Sequence, residues 1–205
     1  RLSVPIIKDI IRAYRIPILE VAGYEADDVI GTLATEAGKQ GIKTYMMTPD
    51  KDYGQLVTDN VFMYRPKYGD KEFEVMGVEE IKAKFDIQSP AQVIDMLGLM
   101  GDSADNIPGC PGVGEKTAQK LVAQFGSIEN LLAHTDELKG AIKTKVESNK
   151  EKIEFSKFLA TIKVDVPITL NMEELSRKEP DEDELRRLFE ELEFRTLIDR
   201  VLKMN

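Results

Sequence analysis

Between Glu25 and Thr48 the apolar residues change period once, and that change restricts the fold more than any other feature of the chain. From Glu25 to about Gln40, Val29, Ile30, Leu33, Ala34 and Ala37 share one face of a 3.6-residue repeat, which predicts an amphipathic helix. Gly41 supplies its stop. The short apolar runs "IKTYMMT" and "NVFMYRP" that follow read as strands, and "IPILEV", ahead of the helix, is a further strand candidate. Strand, helix, strand, turn, strand is the order of an α/β domain in which helices cover a parallel or mixed sheet.

Outside this block the pattern is helical. The opening segment predicts a helix from Ser3 to about Arg15, with Pro5 near its start where a missing N–H costs little. A hairpin is expected around Gly69-Asp70. Beyond it, "VEEIKAKF", "PAQVIDMLGLMG", "EKTAQKLVAQF", "SIENLLAH", "LKGAIKTKVESN", "KEKIEFSKFLATIK" and "DEDELRRLFEELEF" are helix candidates. The expectation is an α/β core over residues 1–88 and a helical subdomain over residues 89–205 packed on it.

Composition removes several kinds of chemistry. With one cysteine, Cys110, and one histidine, His134, the chain lacks the residues for a disulfide framework, a cysteine zinc site, a histidine-rich metal site or a Ser-His-Asp triad. Cys110 reads as a small core or loop residue and His134 as a surface one. No run approaches the roughly 18–20 apolar residues of a membrane span, and no signal-peptide pattern opens the sequence, so a cytoplasmic location is expected. The net charge of −9 argues against a protein that simply coats nucleic acid, although lysines dominate between Lys139 and Lys163 and allow one basic face. Any hydrolysis here rests on carboxylates.

Those carboxylates come in three groups. Glu25, Asp27 and Asp28 stand at the predicted start of the helix, where acidic residues commonly act as caps. Asp50 and Asp52 follow an apolar strand at its C-terminal end, the position where open α/β sheets place ligands, and an extended chain would project both the same way. Asp102 and Asp105, spaced i, i+3, follow the strongly apolar "VIDMLGLM" and share a face in a helical turn. Each group has a capping explanation. All seven together would repel one another without cations, and an oxygen-only donor set suits Mg²⁺ or Mn²⁺ better than zinc. Two such ions about 4 Å apart clamp the oxygens of a phosphodiester.

A glycine loop adds a phosphate grip. Gly109 to Gly114 has the outer spacing of a nucleotide-binding loop, but Glu115 intervenes before Lys116-Thr117 and no buried strand precedes it, so that reading fails. What remains is a tight hairpin, Gly112-Val113-Gly114, feeding a helix N-terminus, with Lys116, Thr117 and Lys120 on the first turns. Such an element binds a backbone phosphate without reading bases, or is simply a corner between two helices.

Taken together, "GYEADDVIG", "TPDKDYGQL", "GDSADNIPGCPGVGEKTAQKL" and "FLATIKVDVP" closely resemble the 5′ nuclease domain of bacterial DNA polymerase I, within the flap endonuclease family, over nearly the whole chain. The resemblance implies a PIN-like core followed by a helix-hairpin-helix subdomain. It makes Glu25, Asp27 and Asp28 ligands mainly of a first metal ion and Asp50, Asp52, Asp102 and Asp105 ligands of a second, with Asp27, Asp50 and Asp102 at the centre of catalysis. It implies duplex binding by the hairpin, with a K⁺ ion there, and removal of 5′ flaps and RNA primers from nicked or primer-template DNA in the nucleoid. Tyr53 and Gly54 stand where the family more often has leucines, a difference expected to touch packing more than metal binding. The family carries an upstream segment with two further aspartates and usually a polymerase region downstream. The chain is therefore expected to be a fragment, weak or inactive alone. A non-catalytic module that recognises DNA junctions, and a scaffold that docks on a polymerase, are the alternatives.

Overall fold

The structure is a computed structural model that describes residues 3–67 and 72–202. In chain order its elements begin with α1 (Ser3–Ala13), α2 (Ala26–Lys39), β1 (Thr44–Met47), β2 (Val61–Pro66) and β3 (Phe73–Met76). They continue with α3 (Val78–Phe85), α4 (Val93–Met100), α5 (Glu115–Phe125), α6 (Ile128–Ala133), α7 (Gly140–Ser148) and α8 (Lys150–Ala160). The last three are α9 (Met172–Leu175), α10 (Glu182–Glu191) and α11 (Arg195–Leu202). Contacts group them into two compact units, residues 23–168 and residues 1–22 with 169–205. No helix is long and apolar enough to cross a membrane among the described residues.

The larger unit is built on a small mixed sheet of order β1-β2-β3. β1 runs parallel to β2, with Thr44 opposite Val61, and β2 runs antiparallel to β3, with Met63 opposite Met76. The period of two sends Met46, Val61, Met63 and Met76 into the core, while Tyr45, Met47, Phe73 and Val75 face out. The β2–β3 pairing is the expected hairpin, and its tip around Gly69-Asp70 lies outside the described residues. α2 lies on the buried side, so close that a Cβ on Gly38 would stand 2.7 Å from Val61 Cγ2.

One hydrophobic cluster joins this sheet to the helices that follow. Val93, Met96, Leu97 and Leu99 of α4 are buried with Ile128, Leu131, Val146 and Ile153 in the same cluster as Met46 and Met63. The helices expected from "VEEIKAKF" onward form within a few residues of their expected limits. A buried polar tie fixes three of them. Asp95 on α4 accepts from the Ile128 amide at 2.9 Å and from Lys157 Nζ of α8 at 2.6 Å, and Lys157 also donates to Glu129 at 2.8 Å.

The smaller unit has its own core. Ala13 packs with Leu185, Leu188 and Phe189 of α10, flanked by Ile10, Leu197, Ile198 and Val201, and the Asp181 amide donates to Ala13 O at 2.8 Å. The sequence pattern placed a strand at residues 16–21, and the structure corrects this. The segment is irregular: Ile16 donates back to Ile11 O of the preceding helix, and Pro17 has no N–H to give a ladder. α11 is an addition that the sequence reading did not include.

Candidate metal centre

β1 ends at Met47, and the chain leaves the sheet through Thr48-Pro49-Asp50. There the backbone turns at once into a 3-10 helix over Lys51–Leu56. Asp50 caps it, its Oδ1 accepting from the Asp52 amide at 2.9 Å. The extended geometry that would have aimed Asp50 and Asp52 the same way is therefore replaced by a turn, and the two carboxylates take different tasks. Asp50 is half-buried and serves the backbone. Asp52 is only 9% exposed, and its Oδ1 is fully buried with no hydrogen-bond partner.

The second arm comes from the end of α4. Gly101, at φ +73, stops the helix, and a tight turn is closed by paired hydrogen bonds between Asp102 and Ile107, 2.9 and 2.8 Å long. Asp102 Oδ1 accepts from the Ala104 amide at 2.9 Å. Asp102 and Asp105 thus share one side of a turn rather than of a helix. Among the described residues, Asp52, Asp102 and Asp105 form the group of potential metal ligands, with one oxygen from each lying within 4.8 Å of the others.

The electrostatics follow from this crowding. Burial, and then the charges of Asp50 and Asp105, push the Asp52 carboxyl up to about 7, against the opposing pull of Lys51. Asp102 moves the other way, because a hydrogen bond from Lys51 holds it below the usual carboxylate range. Lys51 Nζ lies 2.5 Å from Asp102 Oδ2, and that contact raises the lysine in turn.

The carboxylates at the start of α2 stand outside that group of three. Glu25 is exposed at the N-cap and makes no capping bond with its side chain. Asp28 Oδ1 accepts from the Lys163 amide at 3.0 Å. Asp27 Oδ1 accepts from the Tyr53 hydroxyl at 2.6 Å. Tyr53, expected to matter for packing, does fill the core at 4% exposure, but its hydroxyl also reaches an acidic residue of the predicted site. The available signal was chemical: a buried tyrosine needs a partner for its O–H.

Sequence reasoning also missed what fastens the segment after α8. Gln55 donates to Ala160 O at 2.8 Å and accepts from the Ile162 amide at 2.9 Å, while Thr32 Oγ1 accepts from the Val166 amide at 3.1 Å. With the Asp28 contact, these bonds sew residues 160–166 to α2 and to the 3-10 turn. Gly31 permits the approach, since a Cβ there would stand 2.6 Å from Ile162 Cγ2.

The glycine hairpin precedes α5 as expected. Gly112, at φ +79, is exposed, Val113 is buried, and Gly114 caps α5 with no side chain over its first amides. Lys116 and Lys120 are exposed and Thr117 is half-buried. The base of the hairpin is held by Gly109, whose amide donates to the buried Ser156 Oγ at 2.9 Å, and Lys145 Nζ donates to Gly112 O at 3.2 Å. Cys110 is buried and His134 is on the surface.

Residues 1–86 match the family model described as the N-terminal resolvase-like domain of 5′-3′ exonuclease, and residues 88–183 match the C-terminal SAM fold of 5′-3′ exonuclease. The 5′-3′ exonuclease of Aquifex aeolicus is 37% identical over 204 residues, covering 100% of this chain and 68% of that protein. The chain belongs to the 5′-3′ exonuclease family. Other members of this nuclease family are embedded in larger proteins. DNA polymerase I of Bacillus subtilis is 43% identical over 200 residues, which are 97% of this chain and 23% of that protein. For DNA polymerase I of Bacillus caldotenax the figures are 40% over 198 residues, 96% and 22%. The chain thus spans less than a quarter of the length of these two polymerases. The fold recurs at low identity. The 5′-exonuclease of T5 with bound divalent metal ions (zinc) superposes with a TM-score of 0.62 at 20% identity, over 87% of this chain and 62% of that one. The catalytic core of Rad2 in complex with DNA substrate gives 0.63 at 16% identity, over 92% and 63%.

Proposed function

We propose that this chain carries the divalent-metal nuclease site of a 5′-3′ exonuclease acting on 5′ flaps and primers, with Mg²⁺ or Mn²⁺ as the physiological ion. The observation that carries the reading is Asp52, whose Oδ1 is buried without a hydrogen-bond partner and one of whose carboxylate oxygens is grouped with those of Asp102 and Asp105. A buried carboxylate oxygen left unmatched is costly, and a hard cation between three carboxylates removes that cost. The donors are all oxygens, which fits Mg²⁺ or Mn²⁺ and disfavours a soft-metal site.

In this reading Asp52, Asp102 and Asp105 would hold one ion with help from Asp50, and Glu25, Asp27 and Asp28 would contribute ligands to another. When bound, such ions supply a hydroxide nucleophile and stabilise the charge that develops on the phosphodiester oxygens. The protein's own part is to fix the carboxylates. Asp50 sets the turn that carries Asp52, the 102–107 turn sets Asp102 and Asp105, and Tyr53 holds Asp27. The Gly112-Val113-Gly114 hairpin, Lys116, Thr117 and Lys120 grip a duplex phosphate beside the cut, with K⁺ at the hairpin. The division of work between residues 1–88, which carry the nuclease core, and residues 89–205, which carry the duplex grip, is part of the proposal, and the matched ranges 1–86 and 88–183 support it. A polymerase region in the same polypeptide is part of the proposal.

Cleavage of an end-labelled 5′-flap duplex tests it, with Mg²⁺ or EDTA and beside Asp102→Asn. Cutting that needs Mg²⁺ and is lost in the variant supports the nuclease. Salt-sensitive binding without cutting would instead favour a DNA-recognition module.

A further inference from the structure

We propose that Lys51 is the resident counter-cation of the Asp52, Asp102 and Asp105 cluster, holding it assembled until a divalent cation takes its place. The inference rests on reading these carboxylates as a metal centre. Its first support is the need for positive charge. Three carboxylates with oxygens within 4.8 Å of one another repel strongly, and among the described residues the one cation in ion-pair contact with them is Lys51.

The geometry also suits a cation that leaves. The Lys51 side chain is 40% exposed while that of Asp102 is 9% exposed, so the ammonium enters from solvent and the carboxylate stays with the protein. Lys51 borders an open groove with Gly101, Asp102, Ser103 and Asn106, which gives its chain room to swing away. Its backbone need not follow, because Asp50 fixes the turn through the Asp52 amide. A lysine fits this role better than an arginine would. Its ammonium is a compact charge on a flexible stem, without the fork that locks onto a carboxylate.

The substitute is also incomplete. With Lys51 in place on Asp102, the buried Oδ1 of Asp52 still has no partner. An ammonium therefore leaves unmet the demand that a divalent cation, bound to Asp52 and Asp102 together, would meet. Exchange satisfies more oxygens than it abandons, and it frees a positive side chain at the mouth of the groove.

Calorimetric titration of Mn²⁺ into the wild-type chain, Lys51→Met, Lys51→Arg and Asp102→Asn, with thermal midpoints before and after metal, tests the exchange. Lys51→Met is expected to bind Mn²⁺ roughly tenfold more tightly than wild type, because a competing unit charge is gone. Its metal-free midpoint should fall, its rise on adding Mn²⁺ should exceed that of wild type, and Lys51→Arg should stay near wild type in metal-free stability. Mn²⁺ affinity that is unchanged or weaker in Lys51→Met overturns the exchange while leaving the metal centre standing. Wild type without any Mn²⁺ response that Asp102→Asn removes overturns both. Acetylation of Lys51 in the wild-type chain, read by mass spectrometry, gives a test that needs no variant. Reactivity should rise severalfold with Mn²⁺, and reactivity that metal leaves unchanged overturns the exchange.

Discussion

The Tyr53 hydroxyl donates to Asp27 Oδ1 across 2.6 Å, tying the 3-10 turn after β1 to the first turn of α2. The contact joins two acidic segments that stand more than twenty residues apart in sequence. Burial, with the hydrogen bond to Asp27 next, pushes the Tyr53 phenol above its ordinary value, so the group stays a donor throughout the physiological range. Tyr53→Phe keeps the ring and removes only the donor. It should cost about 1.5–3 kcal/mol in urea denaturation, the usual range for a hydrogen bond to a charged acceptor. Tyr53→Leu should cost more, because it also loses ring packing. A Tyr53→Phe protein as stable as wild type would show that Asp27 is held by other means.

Asp52 makes metal-free stability depend on pH. Its folded value of about 7 lies above the ordinary 3.8, so between these values the folded state binds more protons than the unfolded one. The group costs nothing below about pH 4, costs progressively more as pH rises to 7, and imposes its full penalty above that. Asp52→Asn should therefore melt close to wild type at pH 4 and several degrees above it at pH 8 in EDTA. With millimolar Mg²⁺ at pH 8 the order should reverse, since wild type then gains a ligand that the amide binds poorly. Melting curves at the two pH values, with and without metal, check both signs.

The hairpin glycines separate folding from binding. Gly109 has φ +64, and a Cβ there would stand 2.4 Å from the Gly101 amide nitrogen, a backbone atom that cannot turn aside. Gly109→Ala should cost about 3 kcal/mol or more. Gly114 meets nothing within 4 Å, so Gly114→Ala should cost less than about 1 kcal/mol, mostly from the weaker N-cap. If the hairpin grips a phosphate through its backbone, Gly114→Ala will nevertheless weaken duplex binding. Lys116→Ala should lower the salt dependence of binding by about one counterion. Unchanged affinity in both would remove the hairpin from the interface.

Much of this organisation was legible because local pattern and tertiary context agree. The α2 face read from Val29, Leu33, Ala34 and Ala37, the stop at Gly41 and the alternation in β2 each point to the element that forms, whereas Ile30, counted on the same face, is 39% exposed. The failures have local causes. "IPILEV" is apolar enough for a strand, but a run of six residues carries little periodicity and Pro17 removes a donor. Asp50 and Asp52 have the spacing of paired ligands, yet the chain turns at Lys51, so one becomes a cap and the other is buried. The burial of Asp52 and the reach of Tyr53 to Asp27 depend on contacts between distant segments, which no spacing rule encodes.

The Asp95–Lys157 pair tests whether the helical part is held by a buried charge. Asp95 is 3% exposed and bonded to both Lys157 and the Ile128 amide. Lys157→Met should cost about 3–5 kcal/mol by leaving Asp95 charged and short of a partner. Adding Asp95→Asn should return part of that loss. A double-mutant cycle in denaturant measures the coupling, and additive losses would show that the pair is not coupled.

The most direct test of the central claim is a crystal structure of this chain grown with Mn²⁺, with anomalous diffraction used to locate the metal. The account predicts a peak within coordination distance of Asp52 Oδ1 and shared with Asp102 and Asp105, and its loss in Asp52→Asn with the turn unchanged. An empty position between these three carboxylates in a well-ordered crystal at millimolar Mn²⁺, or a peak that survives in Asp52→Asn, would contradict it.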